Sequence, residues 1–223
     1  MKWNPKREIL PLAVFIILAG LSLYFYPRLP ESVPSHFDYR GAADGFSSKG
    51  NVVLFNIVVA VGLYLLLTFL PFIDPFWRRI QSKYSLFLVF RDFMLLFLLF
   101  MYVLIILGAK EGKLPTGALG TGFGLLFVFI GNYLPKLPRN FFFGIRSPWT
   151  LASEVVWKRT HQLSGWLWVV AGLIVTILSL AQLNAGIVML VVLTPVVVFT
   201  AIVYPFWLYR KLQKENKLEA PEL

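Results

Sequence analysis

Three polar side chains lie close together in the segment that follows the first apolar stretch. His36, Asp38 and Asp44 combine an imidazole with two carboxylates, which can ligate a metal ion, bind a peptide or stabilise turns. Their spacing matches no dedicated calcium or zinc motif. Prolines nearby favour extended backbone, and Asp44-Gly45 is a typical turn dipeptide. We expect an ordered loop over residues 27–50, whose role in turn structure, ligand recognition or metal binding stays open.

The third apolar stretch carries two adjacent charges, Arg91 and Asp92. An ionisable group inside a bilayer costs at least about 2.5–3.5 kcal/mol, so such residues are candidates for function. Arg91 lies about two helical turns from the end of its stretch, where a long side chain can reach the headgroups. Asp92 can pair with a basic residue of a neighbouring loop. A structural role and a role in ion passage or signalling are both open.

A second polar segment, residues 131–165, contains a predicted helix. Ser147 followed by Pro148 is typical of a helix start, and the pattern predicts an amphipathic helix from Pro148 to about Gln162 that lies in the membrane interface. Glu154 and His161 stand at i and i+7 and share a polar face with Lys158.

That polar face is either a solvated stripe or a docking surface for a partner protein or a headgroup. The candidate docking residues are Asn140, Gly144, Arg146, Trp149, Thr150, Glu154, Trp157 and His161.

Composition decides what positions these residues. The chain has 223 residues, of which 58% are hydrophobic and 14% are charged, whereas soluble domains are about 45–50% apolar and about 25% charged. This excludes a disordered chain, a disulfide scaffold and an ordinary cytosolic enzyme. The sequence has no cysteine, and it contains no nucleophile with an evident base and no metalloprotease motif, so we expect neither an enzyme nor a cofactor.

Six apolar stretches are long enough to cross a bilayer, which needs about 20 residues. The expected fold is therefore an all-α polytopic membrane bundle of about six transmembrane helices, together with the interfacial helix. The Gly120 and Gly124 pair in the fourth stretch predicts a close helix crossing, and Pro195 predicts a kink in the sixth. The predicted spans are Ile9–Tyr26, Asn51–Ile73, Leu86–Gly108, Thr116–Leu134, Leu163–Leu183 and Gly186–Tyr209.

The charge distribution predicts the orientation. With both termini in the cytoplasm, the inner segments hold 15 Lys and Arg residues and the outer loops hold 5. Cytoplasmic loops are enriched in these residues, so we expect a multi-pass cell-membrane protein with both termini inside. The same asymmetry explains the net charge of +10 without direct nucleic-acid binding.

The two polar segments resemble a known family. The outer one is similar to a small membrane-associated domain of unknown function, through Leu29-Pro30, Val33-Pro34, His36-Phe37, Gly41 and Asp44-Gly45. The inner one resembles the family named for the SdpI immunity protein, through Gly131-Asn132-Tyr133, Asn140-Phe141, Gly144-Ile145-Arg146, Pro148-Trp149-Thr150, Glu154, Trp157 and Thr160-His161. The resemblance divides the chain into an N-terminal three-span region, residues 1–112, and an SdpI-like three-span region, residues 113–223.

The resemblance implies a function. Members of this family are polytopic membrane proteins, and the best-known type protects its producer from a secreted antimicrobial peptide while holding a DNA-binding repressor at the membrane. We therefore expect an immunity and signal-transduction protein, with a toxin peptide outside, a repressor-type protein inside and membrane lipids around it. The alternative is a transporter or channel for ions, small solutes or lipids, with Arg91 and Asp92 in the pathway.

Overall fold

The computed structural model describes residues 5–218, apart from the side chain of residue 110. Within that range, six helical segments are long and apolar enough to cross a membrane, which confirms the expected all-α membrane bundle. The end of the bundle that carries the first and last described residues is called the terminal end, and the opposite end is called the hairpin end. The spans are Pro5–Arg28, Lys49–Ile73, Trp77–Ala109, Thr116–Lys136, Glu154–Leu180 and Ala185–Lys214.

The first three spans are connected by a small sheet, between the first and second, and by a short helix, between the second and third. Side-chain capping starts the second span, because the hydroxyl of Ser48 accepts a hydrogen bond from the backbone N–H of Asn51. The elements in chain order are helix α1 (Ile9–Phe25), strands β1 (Ser32–Phe37) and β2 (Ala43–Ser48), and helices α2 (Lys49–Phe69), α3 (Trp77–Ile80) and α4 (Tyr84–Glu111).

The last three spans carry a break that the sequence did not predict. The helix expected from Pro148 to about Gln162 is divided at Ser153, whose backbone is extended and whose hydroxyl caps the next helix. Residues after Ser153 begin the fifth span, so this structure has no separate interfacial helix over 148–162. The elements are α5 (Thr116–Tyr133), α6 (Pro148–Ala152), α7 (Glu154–Leu180), α8 (Ala185–Val198) and α9 (Tyr204–Lys214), with a π-helical turn at Phe199–Val203 between the last two.

Strands β1 and β2 form an antiparallel hairpin whose turn differs from the predicted one. Asp44 and Gly45 lie inside β2, so the prediction of a turn at this dipeptide was wrong. The turn forms at Asp38, whose carboxylate accepts hydrogen bonds from the backbone N–H groups of Arg40 (2.8 Å) and Ala42 (2.9 Å). The hydrogen bonds that Asp38 makes within its own turn outweigh the turn preference of the Asp44-Gly45 dipeptide.

The hairpin is fixed to the other loops at its end of the bundle. Gly41 has a φ of +78° and its carbonyl accepts a hydrogen bond from the N–H of Leu114 at 2.9 Å. The N–H of Ala43 donates to the carbonyl of Gly112 at 3.1 Å. A Cβ at Gly186 would lie 2.4 Å from the carbonyl oxygen of Tyr39. The hairpin therefore packs against both the α4–α5 connection and the start of α8.

Helices α5 and α7 cross closely through glycine, as predicted. A Cβ at Gly124 would lie 2.7 Å from the carbonyl oxygen of Gly172, and one at Gly131 would lie 2.7 Å from that of Gly165. Gly120 faces the Ser179 side chain in the same way. Small residues let the backbones of membrane helices approach and gain van der Waals contact.

The buried core at the terminal end joins both halves of the chain. Ile80 and Phe87 from the third span pack in one cluster with Leu134, Phe143 and Trp157. All five are buried. The predicted regions 1–112 and 113–223 share this cluster, which supports the motif-bearing loop between α5 and α7.

Candidate functional site

Asn140 organises the loop between α5 and α7. Its amide oxygen accepts hydrogen bonds from the backbone N–H groups of Phe142 (2.9 Å) and Phe143 (2.6 Å). Its amide nitrogen donates to the carbonyls of Pro138 (2.9 Å) and Phe143 (3.1 Å). Asn140 is fully buried. Because this stretch has neither helix nor strand, one side chain supplies the partners that regular structure would otherwise give.

His161 supports the next residues of the same loop. Its Nε2 atom accepts a hydrogen bond from the N–H of Ile145 at 3.0 Å, and its Nδ1 atom lies 2.8 Å from the carbonyl of Trp157. These partners assign the proton to Nδ1 and leave Nε2 as the acceptor. Gly144 has a φ of +92°, and a Cβ there would lie 2.5 Å from Nε2. Only glycine fits both the backbone and the space.

Trp157 and Thr150 complete this arrangement. The Trp157 ring stacks on His161 with centroids 4.0 Å apart, and its Nε1 donates to the carbonyl of Leu137 at 3.0 Å. The Thr150 hydroxyl donates to the carbonyl of Ile145 at 2.8 Å and forms a capping box with Ser147. We call Asn140, Gly144, Thr150, Trp157 and His161 the motif core; its four side chains are buried, whereas Gly144 is exposed.

The predicted polar face of Glu154, Lys158 and His161 is not a single surface. His161 is only 1% exposed and points into the motif core, whereas Glu154 and Lys158 are exposed. The prediction assumes a helix that lies in the membrane interface, but these residues begin a membrane-crossing helix. The buried face of its first turns is formed by Val156, Trp157, Thr160, His161 and Ser164.

Besides the exposed Gly144, three candidate docking residues have side chains that reach the surface. Arg146 is exposed and donates to the carbonyl of Phe141 at 3.1 Å. The Trp149 side chain is half-buried against Phe206, with ring centroids 5.1 Å apart. Glu154 is half-exposed and pairs with Arg139 at 3.1 Å. The buried side chains of the motif core can position these residues but cannot themselves contact a partner in this conformation.

Asp74 is a site residue that sequence reasoning missed. It is 4% exposed, and one carboxylate oxygen accepts from the N–H of Phe141 at 2.7 Å. The other accepts from the N–H of Phe76, also at 2.7 Å. Asp74 therefore connects the loop after α2 to the loop between α5 and α7, which we call the motif loop. The sequence feature that could have identified Asp74 is its position as an acidic residue directly after a long apolar stretch.

Arg91 is the centre of a buried polar network, so the prediction that it snorkels to the headgroups was wrong. Its side chain is fully buried and donates to Glu8 (3.1 Å), the Thr68 hydroxyl (3.2 Å), the Arg7 carbonyl (2.9 Å) and Asp92 (2.9 Å). Asp92 pairs with its own neighbour rather than with a loop. The guanidinium is stabilised more by these four fixed acceptor groups in the pocket than it would be by distant solvent.

Glu8 and Tyr64 belong to the same network and were also missed. The Tyr64 hydroxyl donates to Glu8 at 2.9 Å, and the Arg91 guanidinium lies 5.0 Å from the centre of the Tyr64 ring. Glu8 directly precedes α1 in the first span and Arg91 lies in the third, and no local pattern brings them together. The network fastens the start of α1 to α2 and α4.

The hairpin brings together two of its three candidate ligands. The Nδ1 atom of His36 lies 2.5 Å from an Asp44 carboxylate oxygen, and the two side chains are 73% and 48% exposed. Asp38 instead stabilises the turn. Among residues 5–218, no group of three or more His, Asp or Glu side chains is arranged to hold a metal ion. The exposed His36–Asp44 pair is thus a surface feature of the hairpin.

Comparisons with known proteins match both polar segments. Residues 136–206, which contain the motif core, match the SdpI/YfhL protein family. Residues 13–61, which contain the hairpin, match a domain of unknown function, DUF1648. Over 208 residues the chain is 26% identical to the Immunity protein SdpI of Bacillus subtilis (strain 168), covering 93% of this chain and 98% of that protein. No solved structure matches.

Proposed function

Because residues 136–206 match the SdpI/YfhL protein family and nearly the whole chain is similar to an immunity protein, we propose that it is a membrane immunity protein that gives resistance to a secreted antimicrobial peptide. The observation that carries the proposal is the similarity to an immunity protein along nearly the whole of both chains. A match of this extent includes the hairpin as well as the motif core.

The proposed orientation has the hairpin outside and both termini in the cytoplasm. Among residues 5–218, segments at the terminal end carry 14 Lys and Arg residues, and loops at the hairpin end carry 5. Positive residues are retained on the cytoplasmic side during insertion. The hairpin then meets a secreted peptide first, and the motif core faces the cell interior.

The proposed peptide contact is the outer surface of the hairpin. The exposed rings of Tyr39 and Phe46 lie near the His36–Asp44 pair on a sheet anchored to two other loops. Aromatic rings beside polar groups on a fixed backbone are typical of peptide contacts, since little conformational entropy is lost on binding.

The proposed inner contact is the surface of the motif loop. Arg146, Trp149 and Glu154 are partly or fully exposed and stand on the rigid motif core. A regulator docked there would respond to a change at the hairpin only if the spans between the two ends shift together.

The test is survival of a toxin-sensitive bacterium that expresses this protein. Wild type should protect against a secreted antimicrobial peptide of the cannibalism type, relative to an empty vector. A double variant, His36→Ala with Phe46→Ser, should lower survival about tenfold, as expected for a lost contact of about 1.4 kcal/mol. Leu183→Ser, which changes another exposed residue at the same end, should protect like wild type.

Each result of this test has one meaning. A wild-type protein that inserts in the membrane but gives no protection would refute the immunity function. Protection that the hairpin variant retains would leave immunity standing and refute the hairpin as the contact.

The inner contact needs a separate test. A photoreactive residue at position 146 should crosslink a protein in native cells, and more strongly after peptide addition. The same residue at Lys83, which is exposed on a different loop at the same end, is the control. Equal crosslinking from both positions would contradict docking on the motif loop.

A further inference from the structure

The last span is longer than a membrane requires. It runs from Ala185 to Lys214, which is 30 residues. At about 1.5 Å per residue, roughly 20 residues cross a hydrocarbon core about 30 Å thick. Counting from Ala185, that length is used up near Tyr204, where α9 begins. Helix α9 therefore lies at the level of the lipid headgroups on the terminal side.

Helix α9 has one face that packs on the protein and one that does not. Leu208 and Leu212 are buried in a cluster with Val156. On the other face, Phe206 is 44% exposed and Trp207 is 53% exposed. Rings at this depth are typical of the interfacial belt of membrane proteins.

The exposed face continues into a cluster of cations. The Arg210 guanidinium lies 5.7 Å from the centre of the Phe206 ring, and the Lys211 ammonium lies 5.4 Å from that of Trp207. Lys214 follows on the next turn and is exposed. Helix α9 contains no Asp or Glu. The face is thus apolar towards the membrane and uniformly positive beyond it.

We propose that this face of α9 is a binding site for anionic phospholipid headgroups. Charge complementarity and depth identify the occupant, because phosphate groups of the bilayer lie where the Arg210, Lys211 and Lys214 side chains end. Arginine and lysine donors bind phosphate oxygens directly, while the rings of Phe206 and Trp207 cover the glycerol and upper acyl chain. Phe206 also contacts Trp149, so the bound lipid adjoins the motif loop.

The experiment measures lipid binding at Trp207. Detergent-purified protein is titrated with phosphatidylglycerol brominated near the top of its acyl chains, and separately with the matching phosphatidylcholine. The signal is the fluorescence quenching that is lost in Trp207→Phe. Quenching should reach half its maximum at a lower concentration of phosphatidylglycerol than of phosphatidylcholine, and added salt should reduce the difference.

Two variants of equal charge separate a site from general attraction. Arg210→Gln with Lys211→Gln and Lys214→Gln should move the phosphatidylglycerol midpoint about tenfold or more to higher lipid, given the usual contribution of a basic residue near an anionic surface. The control set changes exposed cations elsewhere at the same end and should keep the wild-type midpoint. The control substitutions are Arg78→Gln, Lys83→Gln and Lys136→Gln.

Three results would overturn the proposal. They are no preference for phosphatidylglycerol in the wild-type protein, an unchanged midpoint in the α9 variant, and an equal loss in both variant sets. A lack of preference for phosphatidylglycerol would indicate that this face of α9 binds another partner, such as a protein. Each variant should elute as a single peak and have wild-type helical content, which would show that it is folded.

Discussion

The Nε2 atom of His161 lies 3.0 Å from the backbone nitrogen of Ile145 and holds the motif loop against α7. The contact exists because residue 144 has no side chain, since a Cβ there would lie 2.5 Å from the same Nε2 atom. A histidine in a membrane-crossing helix and a glycine 17 residues earlier thus form one structural unit.

Gly144→Ala should lower the free energy of unfolding by more than 2 kcal/mol, about 1–3 kcal/mol of which comes from the left-handed backbone. The rest comes from displacement of the imidazole. Thermal unfolding in detergent measures this change. The matched control is Gly112→Ala, which has a φ of +64° but nothing within 4 Å of the added Cβ. If both variants lose the same stability, the His161 contact contributes nothing.

Asn140→Ala should destabilise the loop because it leaves the buried N–H groups of Phe142 and Phe143 without partners. An unsatisfied buried group costs about 1–3 kcal/mol, so the expected loss is about 2–5 kcal/mol. Hydrogen exchange should show faster exchange at these two amides first. Gln162→Ala, at an exposed position on α7, should leave both stability and exchange unchanged. Continued protection of the two amides in Asn140→Ala would contradict the assignment.

Glu8→Ala and Arg91→Ala should not be additive. Removing one partner of a buried ion pair costs up to about 3–5 kcal/mol, and Glu8→Ala should cost less than this because Glu8 is 24% exposed and Arg91 keeps its contact with Asp92. Removing both should cost less than the sum, with a coupling of about 0.5–3 kcal/mol in a double-mutant cycle. The cycle on Arg139 and Glu154, where the carboxylate is 49% exposed, should give about 0–1 kcal/mol. Additive effects at Glu8 and Arg91 would mean that their contact carries no stability.

Gly124→Val should separate α5 from α7 and lower the unfolding temperature by several degrees. The added Cβ would collide with the Thr176 hydroxyl and lie 2.7 Å from the carbonyl oxygen of Gly172, and overpacking of this kind costs about 1–3 kcal/mol. Gly62→Val is the control, because Gly62 lies in α2 with open space around it. Equal unfolding temperatures for the two variants would show that the helices can move apart without cost.

Local patterns were enough to predict the spans and the start of α6. Apolar length sets each span, and Ser147 caps α6 as its position before Pro148 predicts. The crossing at Gly120 and Gly124 also followed from spacing alone, because helix geometry places residues four apart on one face. These features depend on contacts within one segment or on one property repeated along it.

The polar contacts between segments could not be predicted in this way. Glu8 and Arg91 are 83 positions apart, and Asp74 meets Phe141 across 67. The sequence predicts that His161 lies on an exposed polar face, either solvated or used for docking, because the period of a helix does not reveal which side is covered. Its burial depends on the loop around Asn140, whose path no helical or strand pattern describes. Sequence therefore identified most motif residues, but not that several of them are internal supports.

The π-helical turn at Phe199–Val203 sets the rotational phase of everything that follows it. Such a turn holds one residue more than an α-helical turn, so α9 is rotated by about 100° relative to a continuous α8. This added angle directs Leu208 and Leu212 towards Val156 and turns Phe206 and Trp207 outward. Converting the turn to regular α-helix without changing its length would carry the cations of α9 about a quarter-turn around its axis, whereas deleting one residue would restore a regular helix and keep their direction. The orientation of that basic face is thus set by a single residue of helical register inside the membrane.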